Sequence, residues 1–364
     1  MKTLLITPDL FGHAGGIARI MRLYLQALGE IARPGDTLEY CTLLDTGDTS
    51  QQARELIGSR LGEHRNAAGN RLRFTVQMLG LARHADFLLC GHLHLLPLAW
   101  TARQLRPSLS YALVAHGIEV WRPFSTMERL PLGGAARIFC VSHYTRRQIL
   151  RFHPQLDPNR LVVLPNTFDP RFTPPPGEPS ERSAATIVAP RILTVSRLDT
   201  RDRHKGVDTL IEAMPRFRAL QPEATLRIVG RGDDQPRLAA LARSLQIAEA
   251  VRFLGAIDDT ALAHEYAACD LFALPSAKEG FGLVYLEAMS YGKPCLAARA
   301  GGAPEVVNRD VGVLVDYGDS DQIAAALHEL IRHPRSASAI RAHVAKFAFP
   351  QFCSLLRAYL PRIA

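Results

Sequence analysis

The sequence predicts an α/β protein of two doubly wound domains facing each other across a cleft. Short continuous apolar runs alternate with helical spacings in both halves of the chain, as expected for parallel sheets covered on both faces. A proline-rich polar stretch, Thr173 to Ser180, carries no hydrophobic period and separates the two series. With 364 residues, 47% hydrophobic and 21% charged, the chain is long enough for two cores.

The first series opens with a strand at Leu4-Leu5-Ile6. A helix follows, carrying Ile17, Ile20, Met21, Tyr24, Leu25 and Leu28 and stopping at Gly29. Further strands are expected at Tyr40–Leu44, Phe87–Cys90, Tyr111–Ala115, Ile138–Val141 and Leu161–Leu164. The second series begins with Arg191–Val195 and a helix carrying Val207, Leu210, Ile211 and Met214. It continues with strands at Thr225–Val229, Val251–Leu254, Leu271–Leu274 and Pro294–Ala297. These runs predict a first domain over 1–170, a linker over 171–190 and a second domain over 191–339. A helical segment over 340–364 is a candidate to pack back on the first domain.

No run approaches 18 apolar residues, and the apolar start is too short for a signal peptide. The six cysteines are scattered and form no CxxC pair, which argues against a zinc site or a disulfide scaffold. A cytoplasmic setting is expected. The net charge of +8 is uneven: 19 Lys and Arg face 13 Asp and Glu up to residue 170, against 24 and 22 beyond it. Arg54, Arg60, Arg65, Arg71, Arg73 and Arg83 stand against only Glu55 and Glu63. A solvated helix face is the plainer reading, and contact with an anionic membrane is the alternative. No recognition module supports nucleic acid as a partner.

Ligands of doubly wound sheets lie beyond the C-terminal strand ends, and the chemistry-bearing residues collect there. Gly12 to Ile17, with Gly15 and Gly16, precedes a helix; its amides suit a phosphate or a simple turn. His116 follows a strand and suits a sugar hydroxyl or a reacting centre. His92-Leu93-His94 offers two imidazoles on one strand face but no third ligand, so no metal is expected. Arg197 and Lys205 flank the mouth of the second sheet and suit a diphosphate and the charge that grows on a leaving phosphate. The intervening Arg201, Asp202, Arg203 and His204 read as an exposed loop. Gly230-Arg231-Gly232 reads either as a turn or as a loop near a nucleobase. Asp233-Asp234 raises a divalent cation, and Asp258-Asp259 reads as a helix cap.

Glu279-Gly-Phe-Gly-Leu-Val-Tyr-Leu-Glu287 places two carboxylates eight residues apart. At about 1.5 Å of rise per residue they stand roughly 12 Å apart, too far for the roughly 5 to 9.5 Å of paired hydrolase acids. That separation suits the two ends of a nucleoside diphosphate sugar, with the amides of Phe281, Gly282 and Leu283 between them.

Taken in order, these pieces resemble the retaining glycosyltransferases of family 4, of GT-B architecture. The resemblance rests on Gly15-Gly16, His116-Gly117, Val195 to Leu198 with Lys205-Gly206, Ile228 to Gly232, Pro275-Ser276, Glu279 to Glu287 and Ala300 to Glu305. It covers nearly the whole chain and is most specific in the second domain. It implies that Arg197 and Lys205 hold the donor diphosphate, that Glu279 and the amides after it hold the sugar, and that Glu287 takes the ribose. Gly16 would approach the phosphate and His116 the transferred sugar. It further implies front-face substitution without a metal or other cofactor, GDP-mannose or a UDP-hexose as co-substrate, and a glycan or polyprenyl-diphosphate-linked acceptor at the inner face of a membrane. A nucleotide-sugar epimerase or hydrolase, or a noncatalytic nucleotide-sugar-binding subunit, is the alternative reading.

Overall fold

The computed structural model describes residues 1–12, 15–172 and 189–360. The expected linker at Thr173 to Ser180 lies outside the described residues, as do His13 and Ala14 of the glycine-rich stretch. The chain divides into two units, Met1–Phe168 with Phe349–Ala364, and Asp169–Ala348.

In the first unit seven parallel strands form one sheet: β1 Lys2–Thr7, β2 Thr37–Thr42, β3 Leu61–Asn66, β4 Phe87–Cys90, β5 Ser110–Ala115, β6 Arg137–Cys140 and β7 Leu161–Val163. Their order is β3-β2-β1-β4-β5-β6-β7, so the winding reverses between β1 and β4. Strands β4 and β5 are buried almost throughout, which is why they read as unbroken apolar runs. Strand β3, with sequence LGEHRN, was not anticipated. It is a half-exposed edge strand paired only with β2, so its charges carry no strand signal.

Six strands form the second sheet: β8 Arg191–Val195, β9 Thr225–Val229, β10 Val251–Gly255, β11 Leu271–Leu274, β12 Cys295–Ala298 and β13 Gly312–Val315. The order β10-β9-β8-β11-β12-β13 reverses between β8 and β11. Strand β13 was also missed, being four residues long at the sheet edge beside β12.

Three other expectations need correction. The first helix does not stop at Gly29 but spans Gly16–Ile31. Gly29 is a packing residue, because a Cβ there would lie 2.8 Å from the Ile57 side chain. The arginine-rich stretch is no single helix face: Arg54 lies on the helix Ser50–Ile57, Arg65 on β3, and Arg71 and Arg73 on the helix Arg71–Ala82. The C-terminal helical stretch is also divided. Ala337–Val344 belongs to the second unit and packs on the helix Leu283–Ser290, whereas Phe349–Tyr359 belongs to the first.

Phe349–Tyr359 packs on Gly16–Ile31, with the Phe352 ring edge-on to Tyr24 at 4.9 Å between centroids. Phe352, Tyr24 and Leu356 are all buried. Phe352→Ala is expected to destabilise the first unit by about 3–5 kcal/mol through lost burial and the cavity left behind. Urea unfolding followed in that unit would show it as a lower midpoint at unchanged slope.

Candidate functional site

Both winding reversals coincide with the predicted residues. In the second unit the loops after β8 and β11 leave the sheet side by side. The first carries Arg197 and Lys205, and the second carries Glu279 to Leu283. Backbone contacts lock them together: Ala277 N–H donates to the His204 carbonyl at 2.8 Å. Gly206 sits at φ +72°, where a Cβ would fall 2.5 Å from the Pro275 carbonyl oxygen.

This fixes Lys205 Nζ at 2.7 Å from Glu279 Oε2, both side chains largely buried. A third loop steadies Glu279 from behind. Gly302 N–H donates to its carbonyl at 2.7 Å, and Gly301, at φ +61°, has no room for a side chain against the Glu279 backbone. The Ala300 to Glu305 stretch thus has a physical task that its sequence did not disclose.

Beyond Glu279 the chain turns at Gly282 (φ +95°) into the helix Leu283–Ser290, whose N-terminus has no side-chain cap. Its first amides and the helix dipole are available to an anion. The Phe281 ring faces inward, buried and edge-on to Phe347, so only its backbone belongs to this loop.

Glu287 departs from expectation. It is 1% exposed and accepts a 2.8 Å hydrogen bond from the Tyr266 hydroxyl, so it is seated in the core and not on a ligand-facing surface. Gly230 and Arg231 lie beside the Arg197 loop: their own loop is zipped to the one after β8, with Leu198 N–H donating to the Arg231 carbonyl at 3.0 Å. A Cβ on Gly230 would overlap the Ser196 carbonyl. The glycine is needed for that close approach, and the Arg231 side chain is exposed.

Arg197 is 70% exposed and pairs with Asp202 at 3.2 Å. Asp202, dismissed with its neighbours as an exposed loop, is itself only 10% exposed and orients that guanidinium. His204 is also partly buried. Burial, and then the adjacent Lys205 charge, lower its pKa, which favours the neutral ring. Asp234 is taken by Arg203 and Arg237, and Asp258 caps Asp259–Ala268 as expected. Among the described residues no group of three His, Cys, Asp or Glu is placed to hold a metal.

In the first unit Gly15 is the N-cap of Gly16–Ile31, again without a side-chain cap, and a Cβ there would meet nothing within 4 Å among the described residues. The loop before it is not free, however. The buried Asp45 carboxylate accepts from Leu10 N–H (2.9 Å), Phe11 N–H (3.1 Å) and Gly12 N–H (2.7 Å). Among the described residues of the expected phosphate loop, these three amides are taken, and the amides at the helix start are left for an anion.

His116 follows β5, and its Nε2 donates to the Gly91 carbonyl at 2.8 Å. In the neutral ring this makes Nδ1 an acceptor. Glu119, which the sequence reading did not single out, accepts from the His116 and Gly117 amides at 2.6 and 3.2 Å. His92 and His94 are not on a strand face: His92 caps the 3₁₀ turn Leu93–Leu95 after β4 and His94 lies within it, and the His92 ring lies 6.3 Å from that of His116.

Two family models match the chain: "Glycosyltransferase Family 4" over residues 14–172 and "Glycosyl transferases group 1" over residues 187–347. The GDP-mannose-dependent alpha-(1-6)-phosphatidylinositol monomannoside mannosyltransferase of Mycolicibacterium smegmatis is 31% identical over 93% of this chain and 91% of that protein. A GDP-mannose-dependent monoacylated alpha-(1-6)-phosphatidylinositol monomannoside mannosyltransferase of Corynebacterium glutamicum is 35% identical over 68% of each chain. Among solved structures, Anabaena HepE with UDP and glucose matches with a TM-score of 0.78 at 22% identity over 99% of both chains. Sucrose-phosphate synthase from Thermosynechococcus elongatus matches at 0.79 and 21%, over 98% and 97%.

Burial, with smaller contributions from His116 and His94, pushes the His92 pKa down to about 3. The unfolded chain, with a pKa near 6.5, therefore binds a proton that the folded chain refuses. Stability is held above about pH 6.5 and lost as pH falls towards 3. His92→Gln is expected to narrow the gap between thermal midpoints at pH 7.5 and pH 5 relative to wild type, read by scanning calorimetry at both pH values.

Proposed function

This chain belongs to the group 1 glycosyl transferases of family 4, GT-B enzymes that act on nucleotide sugars, and on that premise we propose retaining hexosyl transfer. The donor is a nucleoside diphosphate hexose, and the acceptor is a glycan or a lipid-linked glycan of cell-surface polysaccharide or glycolipid synthesis. GDP-mannose is the donor favoured, because the two relatives described above are named for it.

One observation carries this reading: Lys205 Nζ held 2.7 Å from Glu279 Oε2 at the winding reversal, with an uncapped helix N-terminus just beyond. An ammonium has three donors, so Lys205 keeps two for diphosphate oxygens after serving Glu279. Glu279 keeps its second oxygen for a sugar hydroxyl. Arg197, oriented by Asp202 and facing solvent, adds planar donors for the same diphosphate.

In the proposed step the bond from the anomeric carbon to the β-phosphate oxygen breaks, and a bond to the acceptor oxygen forms on the same face. The acceptor proton passes to the departing phosphate. Negative charge grows on that phosphate, and fixed cations and amides aimed at it supply the catalysis. His116 accepts a hydroxyl of the transferred sugar at Nδ1. Arg197 and Lys205 do the work of a divalent ion, so chelators are expected to leave the rate unchanged.

We extend the reading to the inner face of an anionic membrane. Leu72 and Val76 are exposed one turn apart on Arg71–Ala82, beside Arg71 and Arg73. No helix among the described residues is long and apolar enough to cross a membrane, so attachment would be peripheral. The protein is expected to sediment with phosphatidylglycerol vesicles at low salt and to be released by high salt or by Leu72→Glu with Val76→Glu. Failure to sediment would remove the membrane reading and leave transfer standing.

Transfer itself is tested with GDP- and UDP-hexoses and polyprenyl-diphosphate and inositol-lipid acceptors, the anomer being read by NMR. Glu279→Gln and Lys205→Ala are each expected to lower kcat/KM by roughly 10²–10³-fold, as for loss of one preorganised electrostatic partner. An inverted anomer, or full activity in both variants, would defeat the proposal.

A further inference from the structure

Asp45 stands at the end of the segment that follows β2, 35 residues from the loop it touches, and is fully buried. A carboxylate loses its hydration on burial and must be repaid by hydrogen bonds. Here the repayment comes from three consecutive backbone amides, Leu10, Phe11 and Gly12, shared across both oxygens. Converging consecutive amides are the arrangement by which a loop usually grips a phosphate. In this chain they grip an internal anion.

The contact is supported on both sides. Leu43 and Leu44 amides donate to the Thr7 and Pro8 carbonyls, so the segment leading to Asp45 runs along the start of the loop. A Cβ on Gly12 would come 2.9 Å from Asp45 Oδ1, so residue 12 has little room for a side chain while the carboxylate stays in place.

We infer that Asp45 is a positioning residue: it pins the loop after β1 through three amides and thereby sets the open helix start at Gly15 and Gly16 for the diphosphate of the donor. The inference rests on the transfer reading for the identity of the ligand, not for the pinning itself. Asn at position 45 has the same shape but one acceptor oxygen, and its NH₂ would face an amide N–H, so the loop is released without opening a cavity.

The test joins two measurements on the full chain. Hydrogen–deuterium exchange read over residues 8–12 reports the pinning without any ligand. The Leu10, Phe11 and Gly12 amides must exchange slowly in wild type, and rapid exchange there overturns the inference whether or not a variant folds. In folded Asp45→Asn the same amides are expected to exchange at least tenfold faster. Titration with GDP and with UDP, and the donor KM where transfer is seen, report the consequence. A five- to twentyfold weaker nucleotide affinity and a matching rise in donor KM are expected, with acceptor KM unchanged. A general loss of folded protein would instead lower the amplitude and leave nucleotide affinity and KM alone. Wild-type exchange in the variant, or faster exchange with unaltered nucleotide affinity, overturns the inference. Wild type that binds GDP or UDP but transfers nothing would count against the transfer reading, while the affinity comparison still decides the role of Asp45.

Discussion

The second unit is organised around one ion pair, Lys205 with Glu279, brought together from 74 residues apart by the two central strands where the winding reverses. Its value to stability is modest. Both side chains have given up much of their hydration, and in partly buried pairs that cost offsets most of the attraction. Its value lies in placement. The pair exists because three loops approach at backbone distance: the His204 carbonyl meets Ala277, Gly206 meets Pro275, and Gly302 meets Glu279. A side chain at Gly206 or Gly301 would drive the loops apart and separate the charges.

The first unit meets the same requirement with one buried and one partly buried acid. Asp45 holds Leu10 to Gly12, and Glu119 holds the amides of His116 and Gly117. Each acid orders backbone next to a residue proposed to face the ligand. An enzyme that relies on fixed dipoles and cations must pay for their order during folding, so that little reorganisation remains during reaction. Rigid carboxylate-to-amide contacts are one way of doing so.

Much of this was legible in the sequence. Buried parallel strands read as apolar runs, and the residues at their C-terminal ends could be picked out because a doubly wound sheet presents its loops there. Strand β3 was illegible because an edge strand with one neighbour tolerates Glu63, His64 and Arg65. The end of the first helix was misjudged because Gly29 serves packing against Ile57, and the same residue type ends helices elsewhere. Asp45, Glu119 and Asp202 were passed over for a common reason. A lone acid in a loop looks like any solvated acid, and only the folded chain shows that Asp45 is enclosed by three amides, that Glu119 receives two, and that Asp202 lies beneath Arg197.

The second acid of the eight-residue pair shows why spacing alone is an unreliable ruler. Rise per residue fixes the separation along the helix axis, but the direction of a side chain is set by which face is buried. From Tyr285 to Ser290 every residue of this helix is buried, so no turn of it offers Glu287 a route to solvent. A buried carboxylate needs a donor, and Tyr266 supplies one from Asp259–Ala268. Tyr266 in turn is packed among Phe172, Phe272 and Tyr291. Glu287 therefore ties the helix to the aromatic core, and through the helix it steadies the N-terminus that begins at Leu283. Of the two acids, Glu279 pairs with Lys205 at the winding reversal, and Glu287 ties down the helix that follows it.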